Sequence, residues 1–96
     1  MEPPHLEWDE AKEARCQRER GFSFLYASKA FADPDSLIEP DERDDYGEVR
    51  LRLLGLIEGR VYVVIFTMRG RKARIISARR AKRREQNHYY SGQTGR

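Results

Sequence analysis

Glu48, Arg50 and Arg52, and further on Lys72 and Arg74, stand at alternate positions in stretches rich in β-branched and aliphatic residues. Successive side chains of an extended strand point to opposite faces, so a spacing of two gathers such residues on one face. Four cations placed together repel one another unless an anion or carboxylates offset them, and the planar fork of arginine matches the oxygens of a phosphate. Glu48 adds a carboxylate that can accept a proton beside them, with a plain ion pair to Arg50 as the competing reading. His88 and Tyr89 follow as candidate proton donors, and an aromatic ring there can also stack on a base. These types suit holding a sugar-phosphate chain and moving protons next to it; a solvated basic face is the plainer alternative.

The charge distribution favours the first reading. Residues 1–48 hold 6 Lys/Arg against 14 Asp/Glu, and residues 49–96 hold 13 against 2, so the net charge of +3 conceals an acidic front and a basic back. Nine cations from Arg69 to Arg84 have no acid among them. Such asymmetry points to an anionic partner, nucleic acid first, bound through contacts that are largely blind to base sequence and weaken with salt. Residues 33–48, rich in Asp and Glu, read as a solvated loop that screens the basic half, since their spacing is not that of a calcium loop. His5 and His88 form no metal-ligand pattern, and neither metal nor cofactor is expected. Cys16 is the single cysteine; with no signal-peptide pattern and no apolar run of membrane length, the sequence reads as cytoplasmic and not membrane-bound.

The elements that must position these side chains are legible in outline. Ninety-six residues, 39% hydrophobic and 36% charged, suit one α+β domain with a modest core. Residues 1–7 read as a flexible arm. A first helix runs from Asp9 to about Arg18 and stops at Gly21; a second starts at Ser23 as N-cap and ends by Asp33-Pro34. Leu37-Ile38 suits a short edge strand. From Val49 to Ser77, apolar runs are cut at Glu58-Gly59 and Arg69-Gly70, which predicts two hairpin turns and a three-stranded antiparallel meander. Ala78 to about Tyr90 returns to helix formers with Ser77 as N-cap, and residues 91–96 read as a disordered tail.

With two-residue turns, Ile57 faces Arg60 and Met68 faces Arg71. One face then carries Val49, Leu51, Leu53, Ile57, Tyr62, Val64, Phe66, Met68, Ala73 and Ile75, which bury against Trp8, Phe24 and Phe31. On the other face, Arg52, Ile65 and Arg74 form one row and Arg50, Thr67 and Lys72 the next. Arg79, Arg80, Lys82, Arg83 and Arg84 extend the cationic surface along the last helix.

The run Trp8-Asp9-Glu10-Ala11-Lys12, with Gly21-Phe22-Ser23-Phe24, Asp33-Pro34, Tyr46-Gly47-Glu48-Val49-Arg50, Gly59-Arg60, Arg69-Gly70, Arg74-Ile75-Ile76-Ser77-Ala78-Arg79, Glu85 and Tyr89, resembles the BrnT family of bacterial toxins over about residues 7–90. The resemblance implies a RelE-like domain with two N-terminal helices, an antiparallel sheet of three to four strands and a C-terminal helix. It implies an endoribonuclease toxin of a type II toxin–antitoxin pair, acting on RNA without metal and inhibiting growth. Its partners would be RNA and a BrnA-like antitoxin, with operator DNA met only through that complex. Glu48, Arg50, Arg74, Arg79 and Tyr89 become the catalytic candidates; Lys12, Arg80, Arg83 and Arg84 become RNA contacts, with Arg52 and Lys72 added on the register argument alone. The family usually has Asn near the position of Cys16, and Lys-His where this chain has Glu19-Arg20. A weakly active or inactive homologue that binds RNA or antitoxin is therefore the alternative expectation.

Overall fold

The computed structural model describes residues 5–41 and 49–93. Asp9 is extended (φ −82°, ψ 124°), and its carboxylate accepts the Ala11 N–H at 2.9 Å, which starts helix α1 (Glu10–Arg20). Glu10 and Glu13 in the first turn and Arg18 and Arg20 in the last complement the helix dipole. Gly21, at φ 81°, ends the helix and donates its N–H to the Gln17 carbonyl. Ser23 then accepts the Tyr26 N–H at 2.9 Å to open α2 (Phe24–Ala27), which tightens into a 3-10 turn over Ser28–Ala32. These starts and stops are where the cap residues predict them.

Among the described residues there are five strands, β1 (His5–Trp8), β2 (Leu37–Pro40), β3 (Leu51–Ile57), β4 (Arg60–Arg69) and β5 (Lys72–Arg80). They form one sheet in the order β1-β5-β4-β3-β2, with β1 parallel to β5 and every other pair antiparallel. The α+β class stands, but the sheet is mixed and wider than the expected three to four antiparallel strands. His5–Glu7 lie in β1 rather than in an arm, because pairing with β5 satisfies backbone groups on its outer edge while Leu6 and Trp8 pack on the core.

The first hairpin has the expected register, Ile57 opposite Arg60, with Glu58 (φ 50°) and Gly59 (φ 84°) both left-handed as a type I′ turn requires. The second turns one residue later than Arg69-Gly70. Arg69 faces Lys72, and Gly70 (φ 60°) takes the first central position, the only one of the two with positive φ, as in a type II′ turn. A bulge follows: Phe66 faces Ile75 but Ile65 faces Ser77, leaving Ile76 as the extra residue. The strand then continues to Arg80, past the expected helix start, because the first half of the ten-residue β4 needs a partner on that side. Helix α3 (Arg83–Ser91) begins only after Lys82, whose N–H donates to the Glu85 carboxylate at 2.8 Å.

Both faces of the sheet are covered. Phe24, Phe31, Leu53, Val64, Phe66 and Ile75 form the main core against α1, α2 and the 3-10 turn. Leu54, Val61, Val63, Ile65, Ala81 and Tyr89 form a second cluster beneath α3. Val49 and Met68, expected inside, are exposed at 74% and 45%. Val49 precedes β3, and Met68 sits beside the second turn. Among the described residues no helix is long and apolar enough to cross a membrane.

Candidate functional site

Leu54, Val63 and Arg79 form one row across β3, β4 and β5, and Arg52, Ile65 and Ser77 form the next. Helix α3 sits over this face and closes a cleft of about 740 Å³ lined by Arg52, Arg79, Lys82, Arg84, Glu85 and His88. Two carboxylates fix its arginines. Glu85 receives Arg79 through both ends of the guanidinium, at 2.7 and 2.8 Å, with the side chains 14% and 22% exposed. Those hydrogen bonds, outweighing burial, push the Glu85 carboxyl down to about 2. Glu39, which faces Arg52 in the β2–β3 register, accepts Arg52 Nη2 at 3.2 Å on one oxygen. Its other oxygen lies 2.8 Å from His88 Nε2. The imidazole first, then Arg52, hold the Glu39 carboxyl below the usual range despite partial burial.

Arg52, Arg79, Lys82 and Arg84 give this cleft four cationic side chains against Glu39 and Glu85. The Nε of Arg52 is buried and has no hydrogen-bond partner among the described residues. A buried donor without an acceptor is costly, and a phosphate oxygen is an acceptor of the right kind. His88, with its side chain about half exposed, is held at Nε2 and leaves Nδ1 for proton transfer.

A second cleft, of about 420 Å³, gathers Lys12, Arg15, Glu19, Arg20, Arg50 and Ser77. The positions that carry Lys-His in the resembled family therefore line it, but as Glu19 and Arg20. Cys16 also reaches it; burial pushes its thiol up, which keeps the sulfur protonated and poorly nucleophilic at neutral pH.

The remaining sequence candidates are dispersed. Thr67 faces Arg74, not Lys72, so the expected rows are displaced by the later turn; Arg74 lies 3.9 Å from Glu7 on β1, and Lys72 stands opposite Arg69 at the hairpin end. Arg80 falls on the other side of the sheet from Arg79, opposite Tyr62, and lines a separate recess with Phe22 and Tyr26. Arg83 is exposed in the first turn of α3 and outside the lining of either cleft. Glu48 lies outside the described residues.

Tyr89 has a different place from that of a proton donor to substrate. Its ring is 1% exposed, and its hydroxyl donates to Asp33 Oδ2, the same oxygen that accepts the Leu56 N–H at 2.8 Å. Burial first, then Asp33, push this phenol up to about 12. Glu39 is the residue sequence reasoning missed. The signal was present in Leu37-Ile38-Glu39: an edge strand paired antiparallel to β3 puts an acid at that position opposite Arg52.

Residues 8–85 match the family model described as ribonuclease toxin, BrnT, of type II toxin–antitoxin system. No curated protein matches this sequence.

Proposed function

Because the chain belongs to the BrnT family of type II toxin–antitoxin ribonuclease toxins, we propose that it is a metal-independent endoribonuclease that cuts RNA in the cleft between β3, β5 and α3. The observation that carries this reading is the Arg52–Glu39–His88 chain: a phosphate-binding cation and a proton carrier held by one carboxylate, with 3.2 and 2.8 Å contacts. Family membership implies an antitoxin partner. We take that antitoxin to neutralise the cleft and to be the route to operator DNA.

The substrate supplies its own nucleophile. The 2′ oxygen attacks the adjacent phosphorus, its proton passing to Glu48, the base candidate that the sequence offers. The bond from phosphorus to the 5′ oxygen breaks, and His88 gives that oxygen a proton. A 2′,3′-cyclic phosphate and a 5′ hydroxyl result. Arg52 and Arg79 offset the charge that builds on the phosphoryl oxygens, a contribution on the order of 2.7–4 kcal/mol for one preorganised donor in a water-poor site. Glu85 keeps the Arg79 fork in a fixed plane, while guanidinium N–H groups used neither by Glu85 nor by the Arg80 carbonyl remain for substrate. Lys82 and Arg84 hold flanking phosphates.

Incubating purified protein with RNA and mapping the new ends tests this. Cyclic phosphate ends are expected, and a single 2′-deoxy substitution at the cut removes them. His88→Ala should lower cleavage by about 10²–10⁴ without altering the circular dichroism spectrum. No new ends at any protein concentration refutes the enzyme reading and favours a binding module.

A further inference from the structure

Beyond the last β1–β5 pair, Trp8 with Ile75, the strand residues Ile76 and Ser77 line the second cleft together with one side of α1. Ser77 also closes the row Arg52–Ile65–Ser77, whose other end, Arg52, lines the first cleft. With strands about 4.8 Å apart, the two ends of that row are separated by roughly 10 Å. Arg50 and Arg52 are two residues apart in the sequence and each lines one of the clefts. The row that borders the first cleft thus ends in a residue of the second, a span that one extended polymer can bridge.

Their chemistry differs. In the first, His88 presents an imidazole, a group that can both donate and accept a proton. In the second, Lys12, Arg15, Arg20 and Arg50 supply cationic side chains, offset by Glu19, which already pairs with Arg15 at 2.9 Å. A guanidinium at position 20 holds phosphate without transferring protons.

We propose that the second cleft is a phosphate subsite that grips the RNA strand one or more nucleotides away from the scissile bond, so that the substrate is a single strand long enough to span both clefts. This rests on the ribonuclease reading and adds a strand-holding site on α1, with Arg15 and Arg20 as its new contacts. Both side chains sit on the surface of α1, where they reach a polyanion without rearrangement of the core.

Fluorescence anisotropy with a labelled 12-nucleotide RNA, 2′-O-methylated throughout so that it cannot be cut, tests the proposal across a potassium chloride series. Each phosphate contact on a single strand contributes about 0.7 to the slope of log K against log salt, so Arg15→Ala combined with Arg20→Ala should flatten that slope by about 1.4. Glu19→Gln, which removes the carboxylate of the cleft, should tighten binding by about two- to fivefold at fixed salt. Arg60→Ala combined with Arg71→Ala removes the same charge from exposed hairpin positions outside both clefts and should leave the slope unchanged. An unchanged slope in the α1 variant, or an equal loss in the Arg60/Arg71 control, overturns the subsite. Because the probe cannot be cleaved, this outcome is read independently of nuclease activity: cleavage with an unchanged slope refutes the subsite alone, and binding without cleavage refutes the enzyme reading alone.

Discussion

Replacing Tyr89 with Phe separates anchoring from catalysis. The hydroxyl donates to Asp33, whose carboxylate also takes the N–H groups of Leu56 and Asp35 at 2.8 and 2.9 Å. One carboxylate thus joins α3, β3 and the turn at Asp33-Pro34. A hydrogen bond to a charged acceptor contributes about 1.5–3 kcal/mol, and because two donors remain on Asp33, the loss should fall near 1.5–2 kcal/mol. For a domain of this size each kcal/mol moves Tm by about 4–8 °C, so a drop of about 6–16 °C is expected at pH 7. Burial raises the Asp33 carboxyl, but hydrogen bonds from Tyr89 and the two N–H groups outweigh it and hold the group below its ordinary value of 3.8. A depressed carboxylate stabilises the fold above its unfolded value and loses that contribution as pH falls through the folded one, so the gap between Tyr89→Phe and wild type should narrow by pH 3. The phenol is raised from 10 to about 12, so its contribution is complete below pH 10 and disappears as pH rises through 12. Thermal melts by circular dichroism at pH 3, 7 and 9, with RNA cleavage measured well below the variant's Tm, supply the readout. An unchanged Tm with abolished cleavage refutes the anchoring argument and returns Tyr89 to the chemistry.

Glu85→Gln should reduce stability at pH 7 on the order of 1–3 kcal/mol, because Arg79 loses a bidentate partner. The wild-type contribution is present above pH 4.5 and lost as pH falls to about 2, so the two proteins should converge at the acid end of a urea titration, and a constant offset contradicts the pairing. At Gly55, an added Cβ would lie 2.6 Å from the Ala30 carbonyl oxygen and 2.8 Å from its Cβ. Gly55→Ala should therefore cost about 1–3 kcal/mol by forcing β3 from the 3-10 turn, and an unshifted urea midpoint denies that close approach.

Local chemistry made much of this fold legible. Asp9, Gly21 and Ser23 act within their own turns, and Glu58-Gly59 sets the first hairpin through backbone conformation alone. What failed depends on pairing between distant segments. The sequence around Arg69-Gly70-Arg71 allows glycine at either central position of a turn, and the choice shifts every partner on β5 by one. His5–Trp8 carries too little pattern to announce a strand and becomes one only because the outer edge of β5 is there to receive it. The run from Ala78 to Arg80 has helical propensity but pairs with Tyr62–Val64, so the longer ladder overrides the local preference. For the site, alternation along β3 is enough to place Arg52 on a face, but only the fold brings Glu39 against it.

The bulge at Ile76 decides what the cleft contains. Lys72 and Arg74 pair with Arg69 and Thr67, on the side opposite the main core. Strict alternation from there would send positions 76, 78 and 80 to that same side and turn Arg79 toward α1 and α2. The extra residue reverses the parity: Ala78 enters the main core at 0% exposure, Arg79 joins Val63 beneath α3, and Arg80 moves to the other side. Without that reversal a guanidinium would stand where the core accepts only a methyl group, and Glu85 would face an alanine. One inserted residue thus resolves a packing conflict and sets a cation in the candidate site, because in a two-residue repeat the face that must be apolar also dictates which residues line the other.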